Sequence, residues 1–175
     1  MNDLSFMKKM TADIFEGIGS SQFLEWIEEQ GFYTAPASKG HHGAEMGANW
    51  EHGLQVGYEL SIITDEMGLK WERPQSPMII GMLHDFCKLD DYRFNAEGKI
   101  EWNQEELYPG HGEKSLLMLM GHIDLTEEEK MCIRYHMGAF TDSKEWNYYS
   151  RTVKRYPNVL WTHTADMLAS QVKGV

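Results

Sequence analysis

Apolar residues recur at helical spacing along most of the chain. Leu4, Met7, Met10, Ile14 and Ile18 predict an amphipathic helix over 3–18. Gly19-Ser20-Ser21 breaks it, and a hydroxyl of Ser20 or Ser21 suits the cap of a second helix bearing Phe23, Leu24, Trp26 and Ile27, which stops at Gly31. Residues 34–44, rich in Pro, Gly and Ser, read as loop. A third helix spans Asn49 to Met67, where Gly53 and Gly57 leave room for a neighbouring helix among Leu54, Val56, Leu60 and Ile63. After a linker over 69–77, Pro77 suits the first turn of a helix through Met78 and Leu83, with Ser76 as its expected cap. Tyr92–Asn95 and Lys99–Trp102 alternate about a tight turn and predict a β-hairpin at a site's edge. Leu116, Leu117, Leu119 and Met120 mark the next helix. Thr126 and Glu129 then form a capping-box pattern ahead of Met131, Cys132, Ile133 and Tyr135. Residues 144–156 read as a polar helix or loop anchored by Trp146, Tyr148 and Tyr149, and a last helix runs from Asn158 to about Val172. The pattern describes one all-α domain over 1–175: packing helices at 3–31, a core at 36–172, and one small hairpin near 92–102.

Composition narrows the class. At 175 residues the chain is long enough for a full core. No apolar run approaches the ~20 residues that span a bilayer. Met1–Phe6 carries an early acid and lacks an apolar signal core, so neither a membrane span nor an export segment is expected. Two cysteines, Cys87 and Cys132, both lie in apolar segments; they make no disulfide framework and suit a reducing cytoplasm. Sixteen basic residues stand against 27 acidic ones, a net charge of -11, which argues against capture of long nucleic acid through its phosphates. Small anionic substrates stay open, because a bound dication reverses the potential locally.

The candidate chemistry begins where the apolar run Met78–Leu83 meets His84-Asp85, followed by Phe86, Cys87 and Lys88. A histidine and a carboxylate in such a place need a hydrogen bond, an ion pair or a metal. Other potential ligands share that setting: His52 in the first turn of its helix, His111 in a glycine-bordered loop, His136 at a helix end and Asp166 within an apolar pattern. Each has an ordinary explanation. His52 suits an exposed helix start, His111 a loop, His136 a C-terminal cap favoured by the helix dipole, and Asp166 an ion pair with His163 or Arg134. Six such placements in one chain point instead to a shared nitrogen and oxygen site for a divalent metal, with Asp85 placed to bridge two ions. His41 and His42 add a weaker pair in the loop.

The order His52, His84-Asp85, Asp166 resembles the H…HD…D pattern of the HD-domain metal-dependent phosphohydrolases. Leu83–Lys88 is similar to that family's apolar-HDxxK segment, and Thr164–Leu168 to its terminal Ala-Asp helix. Upstream, Pro36-Ala37-Ser38, His41–Ala44, Gly47 and Glu51–Val56 resemble the subgroup that includes HD-type 3′-to-5′ exoribonucleases, although Ala48-Asn49-Trp50 replaces the usual Gly-Leu-Leu. The resemblance covers 36–170. It implies an HD-type helical bundle holding one or two divalent ions (Mn, Fe, Co, Ni, Zn or Mg). His52, His84, Asp85 and Asp166 would bind the first, and His111 and His136, with Asp85 bridging, the second. It implies Asp85 and Lys88 as catalytic residues, Lys88, His41, His42 and Lys114 as phosphate contacts, and Glu51 and Glu113 as partners orienting the histidines. The activity implied is hydrolysis of a phosphate ester, with a nucleotide or similar small molecule as substrate. Cleavage of short oligonucleotides, a catalytically silent nucleotide- or metal-binding module, and di-iron redox chemistry are the alternatives.

Overall fold

The computed structural model describes residues 3–39 and 43–175. It is all-α with one small antiparallel hairpin. The elements are α1 (Leu4–Ile14), α2 (Ser21–Glu29), α3 (Ala48–Met67), α4 (Ser76–Leu83), α5 (Lys88–Asp91), β1 (Tyr92–Phe94), β2 (Ile100–Trp102), α6 (Gly112–Leu119), α7 (Glu127–Tyr135), α8 (Trp146–Arg155) and α9 (Asn158–Met167). A wider π-helical segment, Leu168–Lys173, continues α9.

Caps set the helix starts. The Asp3 carboxylate accepts from Ser5 N–H and the Ser20 hydroxyl from Phe23 N–H. Thr126 and Glu129 complete the expected capping box. Two boundaries differ from the pattern. Helix α1 ends at Ile14, because Phe15 turns inward to pack edge-on against Phe23 (centroids 5.3 Å apart). Ser76 lies inside α4 rather than capping it. Its hydroxyl donates to Glu129 Oε1 at 2.8 Å, beside Arg73 Nε at 2.7 Å, and so ties α4 to α7.

The centre of the fold is the contact between α3 and α4, and glycine makes it possible. A β-carbon on Gly53 would lie 2.9 Å from the carbonyl oxygen of Gly81, and one on Gly81 would collide with the backbone of Gly57. With hydrogen atoms in those places the two backbones touch, and the C-terminal end of α4 is held against the first turns of α3. Trp50, Val56, Leu60, Ile79, Ile80, Leu83 and Phe86 fill the core around this contact. Helices α1 and α2 cover one flank. Trp50 Nε1–H donates to Thr11 Oγ1 at 2.9 Å, and the Trp26 ring stacks on Phe86 and on His122. Helices α7 and α9 close the other side.

The hairpin pairs Tyr92 with Trp102, Arg93 with Glu101 and Phe94 with Ile100. Asn95 Oδ1 accepts from the N–H groups of Glu97 and Lys99 and shapes its turn. Residues 144–156, left between helix and loop by the sequence pattern, form α8. Among the described residues no helix is long and apolar enough to cross a membrane.

Candidate metal centre

Three histidines and two carboxylates converge where α3, α4, α7 and α9 meet. His52 comes from α3, His84 and Asp85 from the turn that ends α4, His136 from the end of α7, and Asp166 from the last turn of α9. The His52 and His84 rings lie 5.1 Å apart and those of His84 and His136 4.9 Å. His84 is fully buried, His136 and His52 nearly so.

Each ring is fixed by one backbone contact. Nδ1 of His52 lies 2.9 Å from the backbone oxygen of Val175, Nδ1 of His84 2.8 Å from the carbonyl of Gly81, and Nδ1 of His136 2.8 Å from that of Ile133. A carbonyl oxygen only accepts, so each Nδ1 carries the hydrogen and each Nε2 is left to face the centre. There, Nε2 of His52 is 3.3 Å from Asp166 Oδ1. Nε2 of His136 is 3.4 Å from Asp85 Oδ1, and Nε2 of His84 is 3.8 Å from Asp85 Oδ2. Atoms bound about 2.1 Å from a single ion lie roughly 3 to 4.2 Å from one another, the same range.

The electrostatics favour a cation. Burial pushes the His84 ring down to about 4, so it is neutral, and its buried Nε2 lone pair has no hydrogen-bond partner among the described residues. Burial also works against charge on His52 and His136, but Asp166 outweighs it at the first and Asp85 at the second, and both rings shift up. Burial would raise Asp85; the charge of Lys88 and the contact with His136 prevail and hold it well below the usual carboxylate range. Asp166 is lowered against burial by His52. An orphaned acceptor between two ionised carboxylates is costly for hydrogen bonding alone. It fits a divalent ion bound by His52, His84, His136, Asp85 and Asp166. His136 does cap α7, donating to the last-turn carbonyl of Ile133, but the ordinary explanations for His52 and Asp166 do not match their contacts. His52 is not exposed, His163 donates through Nδ1 to the carbonyl of His136 rather than meeting Asp166, and Arg134 pairs with Glu113 and Glu145.

The remaining candidates separate. His111 stands beside the centre, with Nδ1 3.5 Å from Cys87 Sγ and 3.9 Å from Asp91 Oδ2. His136 therefore groups with His84 and Asp166, and His111 with Asp85 and Cys87, where the resemblance had joined His111 to His136. Cys87, which the sequence marks only as a cysteine in an apolar segment, is the added member of this group. Its only signal was its place two residues after Asp85. Lys88 makes no ion pair among the described residues; its Nζ lies over the Tyr92 ring, 5.5 Å from the centroid. Burial works to lower it, and the field of Asp85 raises it overall, so it stays charged.

Lys114 is a correction as a phosphate contact. Its Nζ donates to Asp91 Oδ1 at 2.6 Å and Glu106 Oε2 at 2.7 Å and lies 2.9 Å from Asp90 Oδ2, fully buried. Those bonds outweigh burial and raise its pKa, leaving no free valence for a substrate. Glu113 pairs with Arg134, and backbone oxygens hold the Nδ1 atoms of His52 and His136. His41 and His42 lie outside the described residues. A cleft of about 450 Å³ reaches the centre, lined by Ala37, Ser38, His52, Asp85, Asp166, Ser170 and Gln171.

Compared with protein-family models, with curated proteins and with solved structures, the chain matches none.

Proposed function

We propose that the protein is a metal-dependent phosphohydrolase acting on a nucleotide or a similar small phosphate ester. One observation carries the reading: three imidazoles, locked by their Nδ1 atoms, turn Nε2 toward two ionised carboxylates while an uncommitted ammonium, Lys88, stands in the field of one of them. His52, His84, His136, Asp85 and Asp166 would hold the ion, which supplies Lewis acidity toward water and phosphate oxygens. Asp85 faces two of the rings, those of His84 and His136. Lys88 carries a charge free to meet a phosphate oxygen. The cleft has the volume of a small-molecule site. The resemblance to the HD phosphohydrolases points the same way, through His52, His84-Asp85, Lys88 and Asp166.

The test is product release by the full chain, loaded with Mn²⁺, Co²⁺ or Ni²⁺, from a panel of nucleotides and phosphodiesters. The expected result is phosphate or nucleoside product from wild type and none from Asp85→Ala. Lys88→Ala should keep its metal while turnover falls about 100-fold, the scale of removing one group that stabilises developing charge. Labelled single-stranded oligomers in the same panel separate a monoesterase from a nuclease. Full activity in Asp85→Ala, or no product from wild type, would sink the reading.

A further inference from the structure

Asp85 is shared between two groups of potential ligands, and the second contains sulfur. Ligand atoms of Asp85, Cys87 and His111 lie within 4.8 Å of one another. The group is assembled by packing. Cys87 sits in the turn between α4 and α5, and its N–H donates to the buried Ser115 hydroxyl at 3.0 Å, which pins α6 onto that turn. A β-carbon on Gly112 would collide with the carbonyls of Ile133 and Arg134, so only glycine lets α6 start this close to α7 and bring His111 to the sulfur. Asp91 approaches the same His111 nitrogen at 3.9 Å through Oδ2, while its Oδ1 is held by Lys114.

A nucleophilic thiol does not fit this arrangement. Cys87 and Asp91 both approach Nδ1 of His111, so the ring cannot take a proton from sulfur on one nitrogen while the carboxylate orients the other. Its sulfur is also fully buried, out of reach of a substrate. A thiol, an imidazole and a carboxylate converging form instead a mixed sulfur, nitrogen and oxygen ligand set.

We infer that Cys87, His111 and Asp85 form a second metal position, selective for a thiophilic divalent ion such as Zn²⁺, Fe²⁺ or Co²⁺ over Mg²⁺, with Asp85 bridging to the histidine centre. The inference rests on the reading of Asp85 as a metal ligand. On binding, the sulfur–metal bond forms as the Cys87 S–H proton leaves to solvent. The choice of ion follows from the donors: thiolate favours borderline and soft metals, whereas Mg²⁺ prefers oxygen and keeps its waters.

Titration of the purified full chain with Co²⁺, followed by metal analysis and the ultraviolet–visible spectrum, tests this. Wild type should take up two equivalents, one of which brings a sulfur-to-cobalt charge-transfer band in the near ultraviolet. Cys87→Ser should lose the band and fall to one equivalent. Cys132→Ser should keep both equivalents and the band, which assigns the signal by elimination even if Cys87→Ser folds poorly, since the chain has only these two cysteines. Uptake of cobalt by wild type without the band would overturn the sulfur position and leave the histidine centre standing. Loss of the band in Cys132→Ser would overturn it as well. No uptake at all would overturn both.

Discussion

The turn from His84 to Asp91 feeds two polar clusters that treat charge in opposite ways. Asp90 and Asp91 point into a cage around Lys114, where one ammonium meets three carboxylates and Arg93 Nη2 adds a contact to Asp90 at 3.1 Å. That cage closes on itself. His84 and Asp85, at the other end of the turn, join His52, His136 and Asp166, where the buried Nε2 of His84 meets no donor. Both clusters cost desolvation; the first recovers it internally, whereas the second leaves the Nε2 acceptor of His84 unpaired, which the proposed cation would fill. Residue type alone does not make the difference: Lys114 and Lys88 are both lysines in the same neighbourhood, and of the two only Lys114 is held by ion pairs among the described residues.

Lys114→Met breaks the closed cluster and should have the largest effect on folding. Three carboxylates would be left without their buried cation, so the unfolding free energy from urea denaturation should fall by about 3 kcal/mol, and metal should not restore it. A loss below about 1 kcal/mol would mean that water satisfies the cage equally well. The open cluster should behave in reverse. Metal at about 100 times its Kd should raise wild-type stability by about 2.7 kcal/mol, read as a concentration-dependent midpoint. His84→Leu should abolish that gain, yet without metal lose only about 1 kcal/mol, the worth of the Nδ1–H bond to the Gly81 carbonyl, because Nε2 had no partner to lose. If metal-free His84→Leu fell as far as Lys114→Met, the contrast between the clusters would be gone.

Gly81→Ala probes the contact that assembles the open cluster. A methyl group against the backbone of Gly57 should cost about 2 kcal/mol and weaken metal binding by moving His84 from His52. The smallest change should come from Glu113→Ala. Its pairing with Arg134 is half-exposed, so stability should change by less than about 0.5 kcal/mol and metal affinity not at all. A drop in affinity would return Glu113 to the role of orienting a histidine.

The helices, the capping box and the hairpin were legible in the sequence because each depends on local spacing and turn chemistry. The four residues His52, His84, Asp85 and Asp166 were legible as a set through their order and their apolar surroundings. Their meeting was foreshadowed by Gly53 and Gly57, although the third glycine of that contact, Gly81, had looked like ordinary helix. What sequence could not show was pairing across space. Ser76 reads as a cap until Glu129 is seen beside it. Lys114 reads as a phosphate contact until Glu106, from the loop before α6, and Asp90 and Asp91, from α5, are found around it. The carbonyls that fix the histidine tautomers carry no side-chain signature at all, and Cys87 in an apolar run looks like filler.

The central claim is that the histidine–aspartate centre binds a divalent cation through Asp85. Equilibrium dialysis of the full chain against Mn²⁺ or Co²⁺, with metal analysis of wild type and Asp85→Asn, tests it most directly. The amide is isosteric and keeps the backbone carbonyl that accepts from Asn49 Nδ2 at 3.4 Å. Wild type should retain at least one equivalent and Asp85→Asn bind at least about 100-fold more weakly, the upper end of what losing even an outer partner of a ligand costs. Equal retention by the two proteins, or none by wild type, would contradict the account.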